Sequence, residues 1–179
     1  MSKFNSTHFI RMMGLMAMVA MLLGLSGPAL AAEKESNPER WTKNLPSDMR
    51  FTVLTEFNSE AVRDNNTGLA WEVSPTGDSF DWAGAISHCA TREVGGRKGW
   101  SLPTRKQLTS LVDTNSFLCL GGGVCLPDGH PFQNLQSASY WSETTAGSPT
   151  FAWVVNLYLG GVVVMNLEGH GHAWCVRGG

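Results

Sequence analysis

Charge is scarce in this sequence and nowhere concentrated. Thirteen Lys and Arg and fifteen Asp and Glu make up 16% of the 179 residues. No basic cluster exceeds the pairs Arg97-Lys98 and Arg105-Lys106. A nucleic-acid backbone is held by many cations on one face, so nucleic acid is excluded as a partner. Cys-x-x-Cys and His-x3-His spacings are both missing, which removes the usual zinc frameworks. No Gly-x-Ser-x-Gly or similar nucleophile elbow occurs. The serines and His88, His130, His170 and His172 therefore lack a motif that would assemble them into a hydrolase site. After residue 31 no apolar run approaches the roughly 20 residues a membrane span needs. No internal repeat is visible.

What is present begins with an export signal. Lys3, His8 and Arg11 precede an apolar run from Met12 to Leu25. Gly27-Pro28 breaks it, and Ala29-Leu30-Ala31 supplies the small residues of a cleavage site. The expectation is a signal peptide over 1–31, cleaved after Ala31, with no membrane anchor in the mature form and a periplasmic or secreted location. The remaining 148 residues are the size of one domain. They lose Lys3 and Arg11, leaving eleven basic against fifteen acidic residues, a formal charge of −4. Residues 32–49 are polar and read as a flexible lead-in, with Trp41 exposed. Residues 50–179 form the domain.

Four cysteines, an even number in an oxidising compartment, argue for disulfides. Sequence alone allows three connectivities. Cys119 and Cys125 lie close together in a glycine-rich loop and can pair locally, which leaves Cys89 for Cys175. The chain-entropy model gives about 4.6 kcal/mol for the long bridge and about 2.4 kcal/mol for the short one.

Phe51-Thr52-Val53-Leu54 reads as a strand. Ala61-Val62-Arg63 and Leu69 to Val73 flank the turn residues Asp64 to Gly68, a hairpin signal. Asn65-Asn66-Thr67 matches a glycosylation acceptor, but the turn needs the same residues. Phe80, Ala83, Ile86 and Ala90 recur at helical spacing, with Ser79 as cap and Gly95-Gly96 as stop. A second helix follows Thr104, which forms a capping box with Gln107 and precedes Leu108, Leu111 and Val112. Residues 114–137 read as a long loop, tied by the cysteine pair. Tyr140 to Ser142, Phe151 to Leu157, a buried Val162-Val163-Val164-Met165 and Ala173 to Val176 read as strands. Leu159-Gly160-Gly161 turns the second into the third. Early helices and a late antiparallel sheet make an α+β domain.

Several of these motifs stand in a telling order: Asp64 to Trp71, Gly99-Trp100-Ser101-Leu102-Pro103-Thr104, Tyr140-Trp141-Ser142, Ala152-Trp153, and Cys175-Val176-Arg177-Gly178-Gly179. From residue 50 onward the chain resembles the Lcl C-terminal domain family, named for a collagen-like bacterial adhesin. It is also similar to the sulfatase-modifying (formylglycine-generating) group. The resemblance implies a C-type-lectin-like fold, with a mainly antiparallel sheet, two helices, long loops, neighbouring chain termini and a Cys89–Cys175 bridge. The family commonly carries Arg where this chain has Ser101, which puts a buried ion pair there in doubt.

The expected function is recognition of a surface glycan or a cell-surface protein, without catalysis. A structural or accessory subunit of an envelope assembly is the alternative, and a divergent enzyme of the sulfatase-modifying fold is third. Oxidase chemistry would need reactive cysteines, whereas Cys175 sits in an apolar strand with a partner to hand. The Glu-Pro-Asn, Gln-Pro-Asp and Trp-Asn-Asp tripeptides of calcium-dependent lectins are all missing. Asp113, Asp128 and backbone carbonyls of the long loop could gather around calcium, which wants about six or more converging oxygens, but calcium is not the reading taken. His170-Gly171-His172 lacks a third metal ligand. No cofactor or metal is expected. Trp71, Trp100, Trp141 and Trp153 are expected in the core, with Trp82 and Trp174 open. The recognition surface is expected on 114–139 with Ser142 to Thr145. There Asp128, His130, Asn134 and Glu143 would offer polar contacts, and Phe132 an apolar one unless it packs inward.

Overall fold

A computed structural model describes residues 45–178. The expected signal peptide, Trp41 and most of the lead-in lie outside the described residues. One helical turn, α1 (Ser47–Arg50), occupies the end of the lead-in. Arg50 then anchors the domain. Its Nε and Nη2 each donate to Asp64 at 3.0 Å, and Nη2 also donates to the Ser110 carbonyl. Asp64 is fully buried, so the pair is shielded from competing water. The same carboxylate accepts from the Asn66 N–H and the Thr67 hydroxyl, closing the hairpin turn.

Among the described residues, nine strands form two sheets. β1 (Phe51–Leu54), β2 (Ala61–Asp64), β3 (Ala70–Glu72) and β9 (Val176–Arg177) make the first, antiparallel throughout. The second has the order β4 (Ser79–Phe80), β8 (Gly171–His172), β5 (Ser139–Thr145), β6 (Phe151–Asn156), β7 (Gly161–Asn166). It is antiparallel except for one parallel bridge between β5 and β8. Between β4 and β5 come α2 (Trp82–Thr91), α3 (Arg105–Thr109) and α4 (Phe117–Leu120). The domain is α+β, rich in antiparallel pairing, with both bridges as paired above: Cys89–Cys175 and Cys119–Cys125.

Two apolar clusters lie among these elements. One gathers Ala85, Cys89, Trp100, Trp141, Val154 and Cys175. The other gathers Trp71, Leu108, Leu111, Leu126, Tyr140, Val155 and Trp174. Consecutive residues Trp174 and Cys175 serve different clusters, and this splits the strand read over Ala173 to Val176. The chain leaves the second sheet at His172, crosses between the clusters and joins the first sheet at Val176.

Three further readings are corrected. The cap of α2 is Asp81, whose Oδ1 accepts from the Gly84 N–H. Ser79 and Phe80 are instead paired with β8, so Phe80 precedes the helix. The helix ends at Thr91, and Gly95-Gly96 form the tip of a small turn bridging Val94 and Arg97. Gly95 sits at φ +58°, where an added Cβ would fall 2.2 Å from the Phe57 carbonyl oxygen. β7 is an edge strand with Val163 and Val164 about half exposed, because only β6 flanks it. Trp153 is half-buried beneath the Arg105 guanidinium rather than sealed in the core. The Thr104–Gln107 capping box forms as read.

Candidate functional site

The long segment after Thr114 consumes most of its own polar groups. Ser116 caps α4, and the exposed Asp128 accepts from the Phe117 and Leu118 N–H groups at 2.9 and 3.2 Å. Asp113 accepts from the Asn115 N–H. Both acids weighed for calcium are thus engaged with backbone of their own loop. Asn134 adopts φ +53° and donates to the Pro75 carbonyl, pinning the loop to the segment after β3. Phe132 packs inward, edge-on to Trp174 at 4.8 Å and to Phe51 at 5.1 Å. His130 lies 5.7 Å from Phe132, and both its ring nitrogens are buried without a partner. Burial lowers its pKa, and the nearby Asp128 carboxylate opposes the shift. Glu143 is exposed on strand β5, with its N–H on the Pro103 carbonyl. No bond joins Glu143 to the other four residues among the described ones. His172 uses Nδ1 on the Asp78 carbonyl at 2.9 Å and stacks on Tyr140, while His170 is exposed.

What this loop does present is apolar. Phe117 and Leu120 are each 78% exposed, and Tyr158 and Leu159 of the β6–β7 turn are 50% and 69% exposed. Cys125 joins the two segments: its N–H donates to the Leu157 carbonyl, and its Sγ lies 3.4 Å from the Tyr158 carbonyl. Gly160 fits there only without a side chain, because a Cβ would meet the Thr114 methyl at 2.5 Å.

A polar crevice of about 360 Å³ lies elsewhere, between the β2–β3 hairpin, the end of α2 and residue 133. It is lined by Ser59, Glu60, Glu72, Val73, Ser74, Arg92, Val94 and Gln133. Sequence reasoning missed it. Glu72 is the only acid in the apolar run from Leu69 to Val73, and that was the available signal. Its carboxylate is buried. Oε1 accepts from Arg92 Nε, and Oε2 accepts from the Cys175 N–H at 3.0 Å. Its own carbonyl accepts from the Trp174 indole. This arrangement fixes the Arg92 guanidinium, which is about one-third exposed, with its terminal N–H groups unpaired among the described residues. Glu60 gives one oxygen to the Gly95 N–H and keeps the other. The hydroxyls of Ser59 and Ser74 and the side-chain amide of Gln133 have no partner among the described residues. Asn58 and Ser59 at the lip both adopt positive φ, 52° and 60°, a conformation that costs non-glycine residues energy. Behind the wall His88 stacks on Phe80 with a buried, unpartnered Nε2, and burial and then Arg92 lower its pKa.

The Ser101 side chain is exposed, while its N–H and carbonyl both pair with Val176. The buried pairs near the first sheet are Glu72–Arg92 and Arg50–Asp64. Among the described residues no three His, Cys, Asp or Glu side chains gather as a metal site, and no helix is long and apolar enough to cross a membrane.

Comparison with curated proteins returns no match. The family model described as the Lcl C-terminal domain matches residues 60–177. That span contains both disulfides and every strand except β1, so the match covers the architecture just described. This chain belongs to the Lcl C-terminal domain family.

Proposed function

We propose that the chain is an exported, non-catalytic recognition domain of C-type-lectin-like fold, and that the Arg92 crevice seats one unit of a surface glycan. One observation carries this reading: uncommitted donors and acceptors from four separate chain segments converge on a single crevice. Arg92, Ser59, Ser74, Gln133 and one Glu60 oxygen offer both kinds of partner that a ring of hydroxyls needs. Val73 and Val94 supply an apolar wall. The size is at the small end of ligand pockets, which run from about 300 to 1,000 Å³. The Glu72–Arg92 pair and the Cys175 N–H on Glu72 hold the donors in place beforehand, and such preorganisation lowers the cost of binding. The non-catalytic part is supported by the crevice chemistry. The buried carboxylate is saturated by two donors, and neither serine hydroxyl is bonded to a base. Two disulfides suit an oxidising compartment.

The test is a glycan array with the processed protein, followed by titration of any hit against Ser74→Ala and Gln133→Ala. Each variant is expected to weaken binding by about fivefold to tenfold, the worth of one hydrogen bond, with thermal stability nearly unchanged. Hits that bind both variants normally would sink the crevice as the site.

The exposed Phe117, Leu120, Tyr158 and Leu159 favour a second reading, docking into a protein assembly, because exposed apolar groups in one place mark interaction surfaces. A blank array, together with self- or partner-association lost on combining Phe117→Ser with Leu120→Ser, would favour that reading instead.

A further inference from the structure

We infer that Arg63, Arg97 and Arg177 form a second site, which takes a carboxylate. Its lining shares no residue with that of the Arg92 crevice, and the site does not depend on that crevice. Strand register builds it. Arg63 on β2 is paired with Ala70 on β3, and Ala70 is paired with Arg177 on β9. Directly paired residues project from the same face, so two guanidinium groups flank one methyl group, and the small residue leaves a trough. Arg97 enters from the Val94–Arg97 turn, with its Nε donating to the Glu56 carbonyl at 3.2 Å. Its guanidinium lies 4.7 Å from the centre of the Phe57 ring, and that of Arg177 lies 5.7 Å from it. Phe57 is itself braced edge-on by Trp100. The resulting cavity is about 160 Å³ and is lined by these groups with Leu54 and Glu56.

Three cations thus share a cavity with one carboxylate, Glu56, in a chain whose net charge is negative. None of the three is in an ion pair among the described residues. Three like charges brought together beside a single carboxylate are stabilised by an anion that joins them. The volume suits a single acidic group. Arginine forks match the two oxygens of a planar carboxylate, and Glu56 at the rim opposes a second negative charge, which disfavours a tetrahedral dianion.

The measurement is a titration of the whole processed protein, followed by the arginine side-chain NMR signals at constant ionic strength. The probes are acetylated, amidated glutamate and methyl glucuronoside, with the glutamine and glucoside counterparts as neutral controls and sulfate as the tetrahedral competitor. At least one carboxylate should shift the signals of Arg63, Arg97 and Arg177 saturably, and its neutral counterpart should not. The tighter of the two carboxylates identifies a peptide or a sugar source. Arg63→Gln and Arg177→Gln should each weaken binding about tenfold, the worth of a charged hydrogen bond. Arg63→Lys, which keeps the charge and loses the fork, should restore only part. Arg105→Gln, whose guanidinium lies over Trp153, should change nothing. The inference is overturned if sulfate binds more tightly than either carboxylate, if the neutral probes shift the signals equally, or if Arg105→Gln weakens binding as much. Should a variant fail to fold, the titration of the unsubstituted protein decides alone.

Discussion

Replacing Cys89 and Cys175 together by alanine removes a cross-link between residues 86 apart, whereas replacing Cys119 and Cys125 removes one between residues 6 apart. In the chain-entropy model the first bridge contributes about 4.6 kcal/mol and the second about 2.4 kcal/mol. Burial widens the gap. Cys89 and Cys175 are both fully buried in the cluster with Trp141 and Val154, so losing their sulfurs also loosens packing, by about 1 kcal/mol. Cys119 is only half-buried. A domain has about 5–15 kcal/mol of stability in all, so the first double variant loses a large share of it. At about 4 °C per kcal/mol for a domain of this size, the melting temperature should fall by about 20 °C for the long bridge and about 10 °C for the short one. Urea denaturation at neutral pH gives the free energies directly, and equal slopes would show that both variants unfold from comparable native states. A short-bridge variant that loses as much stability as the long-bridge variant would refute this reasoning. It would mean that native contacts around Cys125, rather than restraint of the unfolded chain, dominate.

Two further outcomes follow from single side chains. Asp128→Ala removes the carboxylate that holds the Phe117 and Leu118 N–H groups. It should cost about 1 kcal/mol, like the loss of a helix cap, and speed amide exchange over residues 117–120; unchanged exchange would show that the cap is idle. The pH dependence has a fixed sign. Burial holds the pKa of His88 and of His130 below the ordinary imidazole value. Their contribution is therefore present above about pH 6.5 and lost as pH falls through the folded values. Tyr140 is pushed up to about 12 by burial, so its neutral form favours the fold and stability declines above about pH 10. Melting temperatures across pH 5 to 11 should trace a plateau with both shoulders, and a melting temperature that rises below pH 6 would contradict the histidine assignment.

Local chemistry was legible wherever it involved neighbours in sequence. The Asp64–Gly68 turn, the Thr104–Gln107 box and the local Cys119–Cys125 pair each follow from residues a few positions apart, and the structure reproduces them. Period alone misled at the start of α2. Phe80 fits a helical repeat, but Asp81 is the better cap, and a two-residue strand claims what precedes it. Hydrophobicity misled at β7, because a run of three valines cannot say whether one strand or two will flank it. The crevice and the arginine trough were beyond reach for the same reason. Arg63 and Arg177 are brought together by register across three strands, and Arg92 meets Glu72 through a fold that spacing does not encode.

The long loop shows how much of a polar sequence is spent on its own backbone. A segment without strands has many backbone N–H groups and carbonyls to satisfy, and the nearest side chains are the cheapest partners. Asp128, Asp113, Ser116 and Asn134 are spent in this way. Asp128 and Asn134, two of the residues read from the sequence as polar contacts, are therefore also scaffold of the loop. Phe117 and Leu120, which cannot bond to backbone, are left facing solvent on α4. In the crevice the balance is reversed. There Glu72 on β3 spends its carboxylate on Arg92 and the Cys175 N–H, while Ser74, Gln133 and the outer nitrogens of Arg92, in the connections after β3, before β5 and after α2, are left over among the described residues. Among the described residues, free hydrogen-bonding capacity is thus gathered by short connections at the crevice, and the two most exposed large apolar side chains, Phe117 and Leu120, stand on α4, which is why polar ligands are proposed for the first and an apolar partner for the second.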